Sequence, residues 1–182
     1  MHKVLSTVTV GSVGDLGRVA GDLADRGADI EAIGGGEATV GGLTIGTINL
    51  LLREDDDADD AAVVDRILSL DLGGGRTPDS VRWYPCLHVE LENARGALAQ
   101  AAALMGNASP PINIMAALLI DAHADWAVVA FAFEDDTVCD QAQTVFETEG
   151  IPVLEEHGGG GRRRHVDNVL SGQVLRGDTN RG

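Results

Sequence analysis

The chain has 182 residues, a formal net charge of -16 from 29 acidic and 13 basic side chains, and 44% hydrophobic but only 3% aromatic residues. So negative a surface repels nucleic-acid phosphates and anionic membranes, which excludes a nucleic-acid or membrane-surface role for the folded body. Any core must be built from Val, Ile, Leu and Ala, and small cores of that kind are marginal unless they pack on one another or dimerise.

The alternation of Val4, Ser6, Val8 and Val10 with Leu5, Thr7 and Thr9 predicts a strand. After Gly14-Asp15-Leu16-Gly17 a helix is expected to about Arg26, burying Leu16, Val19, Ala20 and Leu23, with Arg18, Asp22 and Asp25 in water and Gly27 as its stop. Ala28-Asp29-Ile30 leads into a second strand, Ile30 to Ile33. The clusters Gly34-Gly35-Gly36 and Gly41-Gly42 predict a flexible hairpin loop, and Leu43 to Leu52 a long third strand. The acidic run Asp55 to Asp60 suits a solvated helix start, because the spaced ligands and closing Glu of a calcium loop are missing. A helix over 59–70 should bury Val63, Val64, Ile67 and Leu68, Gly73-Gly74-Gly75 should end it, and Val81 to Tyr84 should form a fourth strand.

With hardly any linker, a new strand begins at Cys86, so a rigid pair of units is expected. Val89 and Leu91 alternate with acidic residues, whereas Leu98, Ala101, Ala102 and Met105 recur at helical spacing, so strand must turn into helix at Gly96. Gly96 permits a tight turn after Asn93, and the helix start presents unpaired N–H groups, a corner able to hold a small anion or an amino-acid carboxylate. Beyond the polar break Gly106 to Pro111, strands over 112–121 and 126–134 form a hairpin around Ala122-His123-Ala124-Asp125. Val129, Phe131 and Phe133 occupy one face of its second strand, Trp126, Val128, Ala130 and Ala132 the other. Both faces are apolar, so one must be hidden against a sister unit or another subunit. A last helix over 137–149, burying Val138, Ala142, Val145 and Phe146, and a strand over 151–154 follow.

The two halves repeat at about 80 residues, too long a period for a solenoid. In this reading Gly17 aligns with Gly96, and Asp29-Ile30 with Asn113-Ile114. Each copy runs strand, Asp/Asn-x-x-Gly-like turn, helix, a small residue with Asn/Asp-Ile, a second strand of a hairpin, helix, strand. This order resembles the ACT domain family, over most of Lys3 to Glu155.

The resemblance implies an α+β fold of two ferredoxin-like βαββαβ domains in tandem, 1–84 and 85–156, with a flexible Gly/Arg-containing tail over 157–182. It implies a non-enzymatic sensor that binds an amino acid or related small molecule without a cofactor, and that acts on a homodimer or a partner enzyme. The ligand would lie at an interface between the corner and a neighbouring second strand. In copy two that means Asn93, Ala94, Arg95 and Gly96 with Ile112, Asn113 and Ile114: backbone N–H groups and Arg95 for a carboxylate, Asn93 and Asn113 for further hydrogen bonds. In copy one it means Gly14, Asp15, Leu16 and Gly17 with Asp29 and Ile30. There Gly14 stands where Asp or Asn is typical, Leu16 replaces a frequent proline, and Asp29 would repel a carboxylate or grip an amino group. The corners are expected to face a seam between neighbouring sheets.

No catalytic constellation stands against this reading. Ser12 and Ser171 lack a nucleophile elbow, Lys3 is the sole lysine, and His2, His88, His123, His157 and His165 are scattered. Cys86 and Cys139 lack metal-ligand spacing and read as reduced packing residues. The apolar run 114–120 is far short of the ~20 residues that cross a bilayer, and no apolar leader precedes the first strand, so a soluble cytoplasmic protein is expected.

Overall fold

The computed structural model describes residues 2–10, 14–40, 42–53 and 60–154; the acidic run 55–59 and the tail beyond Leu154 lie outside the described residues. In chain order come β1 (His2–Val10), α1 (Asp15–Ala24), β2 (Asp29–Val40), β3 (Leu43–Arg53), α2 (Asp60–Leu68) and β4 (Ser80–Glu92). Then follow α3 (Ala97–Asn107), β5 (Ala116–Ala122), β6 (Trp126–Ala132), α4 (Asp136–Thr148) and β7 (Val153–Leu154). The order βαββαβ is traced twice, and β4 belongs to both rounds. Residues 80–85 pair with β1 and residues 86–92 with β6, all antiparallel. Outward from β4 the strands run β1, β3, β2 in the first half and β6, β5 in the second, with β7 also on β4. Pro85, which has no N–H to give a ladder, stands at the changeover, and its carbonyl accepts from Phe133 N at 3.0 Å.

Side-chain alternation along these strands makes three cores. Leu5, Ile48, Leu50, Leu52 and Val81 meet Val19, Leu23, Ile67 and Leu72 beneath α1 and α2. Val89, Leu91, Val129, Phe131 and Phe133 meet Ala101, Met105, Cys139, Ala142 and Phe146 beneath α3 and α4. The opposite strand faces meet each other: Val4, Leu51, Tyr84 and Cys86 pack with Ala116, Leu118, Ala130 and Ala132. The second apolar face of β6 is therefore hidden within the chain, and the layers run helix, sheet, sheet, helix. Cys86 and Cys139 lie in different cores and form no disulfide.

Several expected boundaries move, each for a packing reason. Gly34-Gly35-Gly36 is no hairpin loop but part of β2, because the backbone is approached closely there. A Cβ on Gly34 would collide with Leu118 of the facing sheet, and one on Gly35 with the Thr47 carbonyl. β5 starts at Ala116, not Ile112, because Ile112 turns inward: its N–H donates to Met105 O at 2.9 Å and its side chain is buried against α3. Leu16 and Leu98, expected inside, are 43% and 50% exposed. The buried stripe of α1 is Asp15, Val19 and Leu23, with Leu16 at its edge, about a sixth of a turn from its centre, and Ala101 and Met105 define the matching stripe of α3.

Asp22, expected in water, links the helices of the first half. Its carboxylate accepts from Arg66 Nη2 at 2.6 Å and from Arg66 Nε at 3.1 Å, and Arg26 Nε stands 3.3 Å away. The Arg66 hydrogen bonds hold the Asp22 carboxyl below its ordinary value, against an opposing push from burial, and the charges of Arg66 and Arg26 add to the lowering. A carboxyl depressed by folding stabilises the fold above its unfolded value of about 3.9 and loses that contribution as pH falls through the folded value. Asp22→Asn should therefore cost about 1–2 °C of melting temperature at neutral pH and make the acid-side fall shallower. A pH series of melting curves checks this; parallel curves for the two proteins would refute it.

Candidate functional site

Both helices that follow a strand of the central pair open on a left-handed glycine. Gly14 (φ 98°, ψ -5°) caps α1 and Gly96 (φ 93°, ψ -7°) caps α3, neither with a side-chain hydrogen bond. Only glycine takes that conformation without strain, so these are the two sharp strand-to-helix corners. The counterpart of Gly96 is thus Gly14, not Gly17, which lies inside α1. The alignment on Gly17 set Val19 beside Leu98, yet Leu98 is the exposed residue and Val19 the buried one. In the observed register Asp15 matches Ala97, Leu16 matches Leu98, Val19 matches Ala101 and Leu23 matches Met105.

Corner one is built around a buried carboxylate. Asp15, the first helical residue of α1, is 3% exposed. Arg76 grips it with both terminal nitrogens, Nη2 to Oδ1 at 3.0 Å and Nη1 to Oδ2 at 3.3 Å, and also donates from Nη2 to Leu72 O at 3.0 Å. The Asp15 hydrogen bonds are the main cause that raises the Arg76 pKa. Arg76 comes from the loop between α2 and β4, whose Gly73, Gly74 and Gly75 all have positive φ. Leu72 N donates to Arg76 O at 2.8 Å, and the Arg18 guanidinium lies so close over Gly73 that a Cβ there would meet its Nη1 at 2.9 Å.

Corner two is tied to the β5–β6 hairpin. Asn93 N donates to Asp125 O at 3.0 Å, and Asn93 Nδ2 donates to His123 O. The His123 ring stacks on Trp126 with centroids 3.9 Å apart, and its Nε2 is 3.5 Å from Asp121 Oδ2. Ala94 N donates to Glu92 O at 2.8 Å and Ala97 N to Ala94 O at 3.2 Å, which closes the turn. Arg95, Gly96 and Leu98 are exposed around it. Position 97, where corner one has Asp15, is an alanine.

The remaining expected residues lie elsewhere. Asn113 is exposed, with Nδ2 3.4 Å from Met115 Sδ, while Ile112 is buried and Ile114 half-buried. β5 begins with Ala116 opposite Ala132, itself opposite Cys86, whereas Asn93 follows Glu92 at the far end of β4. Six strand residues, about 20 Å, separate the two asparagines' ends of the sheet. Asp29 and Ile30 pair with Arg53 and Leu52, at the β1 end remote from Gly14. Within the chain, then, the corners do not line the seam between the two facing sheets. The seam surrounds Tyr84 and Cys86 in mid-β4, and the corners stand beyond its two ends. Among the described residues no group of His, Cys, Asp and Glu is placed to hold a metal ion, and no helix is long and apolar enough to cross a membrane.

No protein-family model and no curated protein matches the chain. Solved structures do. Protein BT0572 from Bacteroides thetaiotaomicron superposes with a TM-score of 0.54 at 17% identity, over 84% of this chain and 90% of that one. The structure of aspartokinase alpha and beta subunits gives 0.53 at 13% identity, over 81% and 90%. The fold is that of the ACT-domain proteins. β1–α1 and β4–α3 are the corners of the two halves, and β2 and β5 the strands that follow α1 and α3. Arg76, His123 and Ala97 were invisible as corner residues in the sequence; Arg76 is 61 positions from Asp15 and follows no recognisable motif.

Proposed function

We propose that the chain is a non-catalytic regulatory protein of two tandem ACT domains, 1–84 and 85–156, which binds a small molecule of the amino-acid class and answers by changing an interface with a second copy or a partner enzyme. The observation that carries this is the corner at Gly96. A helix N-terminus without a carboxylate of its own at position 97 stands beside exposed Arg95, a combination suited to a ligand carboxylate. Asn113 belongs to the same site only if a second copy presents it, because its own corner is a sheet length away. A cytoplasmic location goes with this reading.

Thermal-shift measurements with the standard L-amino acids, one at a time, test it. One of them should raise the melting temperature, by the equivalent of about 2.7 kcal/mol at a hundredfold excess over its Kd. Gly96→Val, which forces a β-branched residue to φ 93°, should abolish the rise. A flat response across the panel sinks the sensor and leaves the second reading, a structural subunit whose ligand sites are lost. The ion pair filling corner one favours that alternative for the first half.

A further inference from the structure

We propose that the seam-side face of the first sheet, where it runs on beyond the second half, is a docking surface for the same face of a second copy of the chain. This goes beyond the sensor reading, because no ligand enters it, and a flat amino-acid panel would leave it untouched.

The two facing sheets overlap only in part. Val4, Leu51, Ala32 and Tyr84 stand abreast across the first sheet and meet the second half. Two residues along β2, a Cβ on Gly34 would still collide with Leu118. Side chains alternate, so two residues further again the same face carries Val8, Thr47, Gly36 and Ser80, and after them Ile45 beside Ala38. Val8 and Ile45 belong to none of the three cores, and Thr47, Gly36 and Ala38 are exposed.

Gly36 points to a close neighbour. Its φ is not positive and a Cβ on it would meet nothing within 4 Å, so nothing among the described residues requires glycine there. A glycine inside a strand with open space above it suits the approach of another sheet, as Gly34 suits that of Leu118. Charge says which sheet. The open face has no acidic residue, and Arg82 at its border is its one charge, in a chain of net charge -16. Over most of their surface two copies repel one another, whereas here they meet without like carboxylates, and a two-fold axis lets the face cover itself. Its short side chains leave it flat enough for that. The open part, four strands wide and about five residues long, has a footprint of roughly 300 Å² per copy, below the ~800 Å² per partner of a standard interface, so the dimer should be reversible.

Sedimentation equilibrium of the full chain, with no ligand added and up to about 1 mM protein, reads the association directly. The wild type should show a monomer–dimer equilibrium that tightens as salt screens the repulsion between two acidic bodies. Thr47→Asp, which sets like charges facing across the two-fold axis, should weaken the dimer about tenfold or more. Gly36→Val should weaken it as well, yet the dilute monomer should melt no lower, because valine suits a strand better than glycine. Ile33→Asp puts the same charge on the opposite face of β2, where Ile33 is already 51% exposed, and should leave the dimer unchanged. A dimer as tight in Thr47→Asp or Gly36→Val as in the wild type, or one weakened equally by Ile33→Asp, overturns the proposal. So does a wild-type chain that stays monomeric. Slow thiol labelling of Thr47→Cys in such a monomer, where Cys86 and Cys139 are buried, would give the face to residues of the chain beyond Leu154 instead.

Discussion

Leu118→Asp should lower the stability of the chain by about 3–5 kcal/mol and split its unfolding into two steps. Leu118 is 4% exposed, lies in the seam among Val4, Leu51, Tyr84 and Ala130, and touches the place where a Cβ on Gly34 would sit. A carboxylate there has two options. It stays buried without a counter-charge from that cluster, or the facing sheets part and water enters. Parting leaves each half with its helix-covered core but exposes an apolar sheet face. The tryptophans separate the two events, because Trp83 packs on the first core and donates to Asp60 O at 3.1 Å, whereas Trp126 stacks on His123 in the second half. Fluorescence melts of single-tryptophan variants should coincide in the wild-type seam and diverge in Leu118→Asp. Coincident transitions in both backgrounds would mean that β4 alone couples the halves and the seam does not.

Much of this architecture was legible because burial follows simple periods. Phe131 and Phe133 alternate with Ala130 and Ala132, so two apolar faces, and hence a sheet-on-sheet contact, could be read directly from β6. The corner at Gly96 was equally legible, since the spacing changes there from two to nearly four. Its partner was misplaced by three positions. Gly14 and Gly17 both stand at the start of α1, and only the positive φ of Gly14 tells which of them makes the corner. The glycines of β2 misled for a related reason: glycine marks either a turn or a close approach, and only the facing Leu118 and Thr47 tell which. The Asp15–Arg76 pair and the distance from Asn93 to Asn113 depend on long-range pairing, which one sequence does not encode in any local pattern.

Phe146→Ala should lower stability by about 3–5 kcal/mol, as deletion of a fully buried ring does, yet leave unfolding as a single step. Phe146 on α4 is 0% exposed and its ring lies 5.6 Å from that of Phe131 on β6, within a core that also includes Ala101 and Met105 of α3. The cavity would weaken the second half directly, including the helix whose start forms corner two. The first half has no contact with the lost ring in its own core. It should nonetheless melt with the second, because Val4, Leu51 and Tyr84 lose their cover once β5 and β6 come away. Both tryptophan signals should therefore move down together, by about 6–15 °C. A Trp83 transition that stays at the wild-type temperature while Trp126 falls would show that the halves are thermodynamically independent. Ligand binding at one end of β4 would then have no route through the seam to the other.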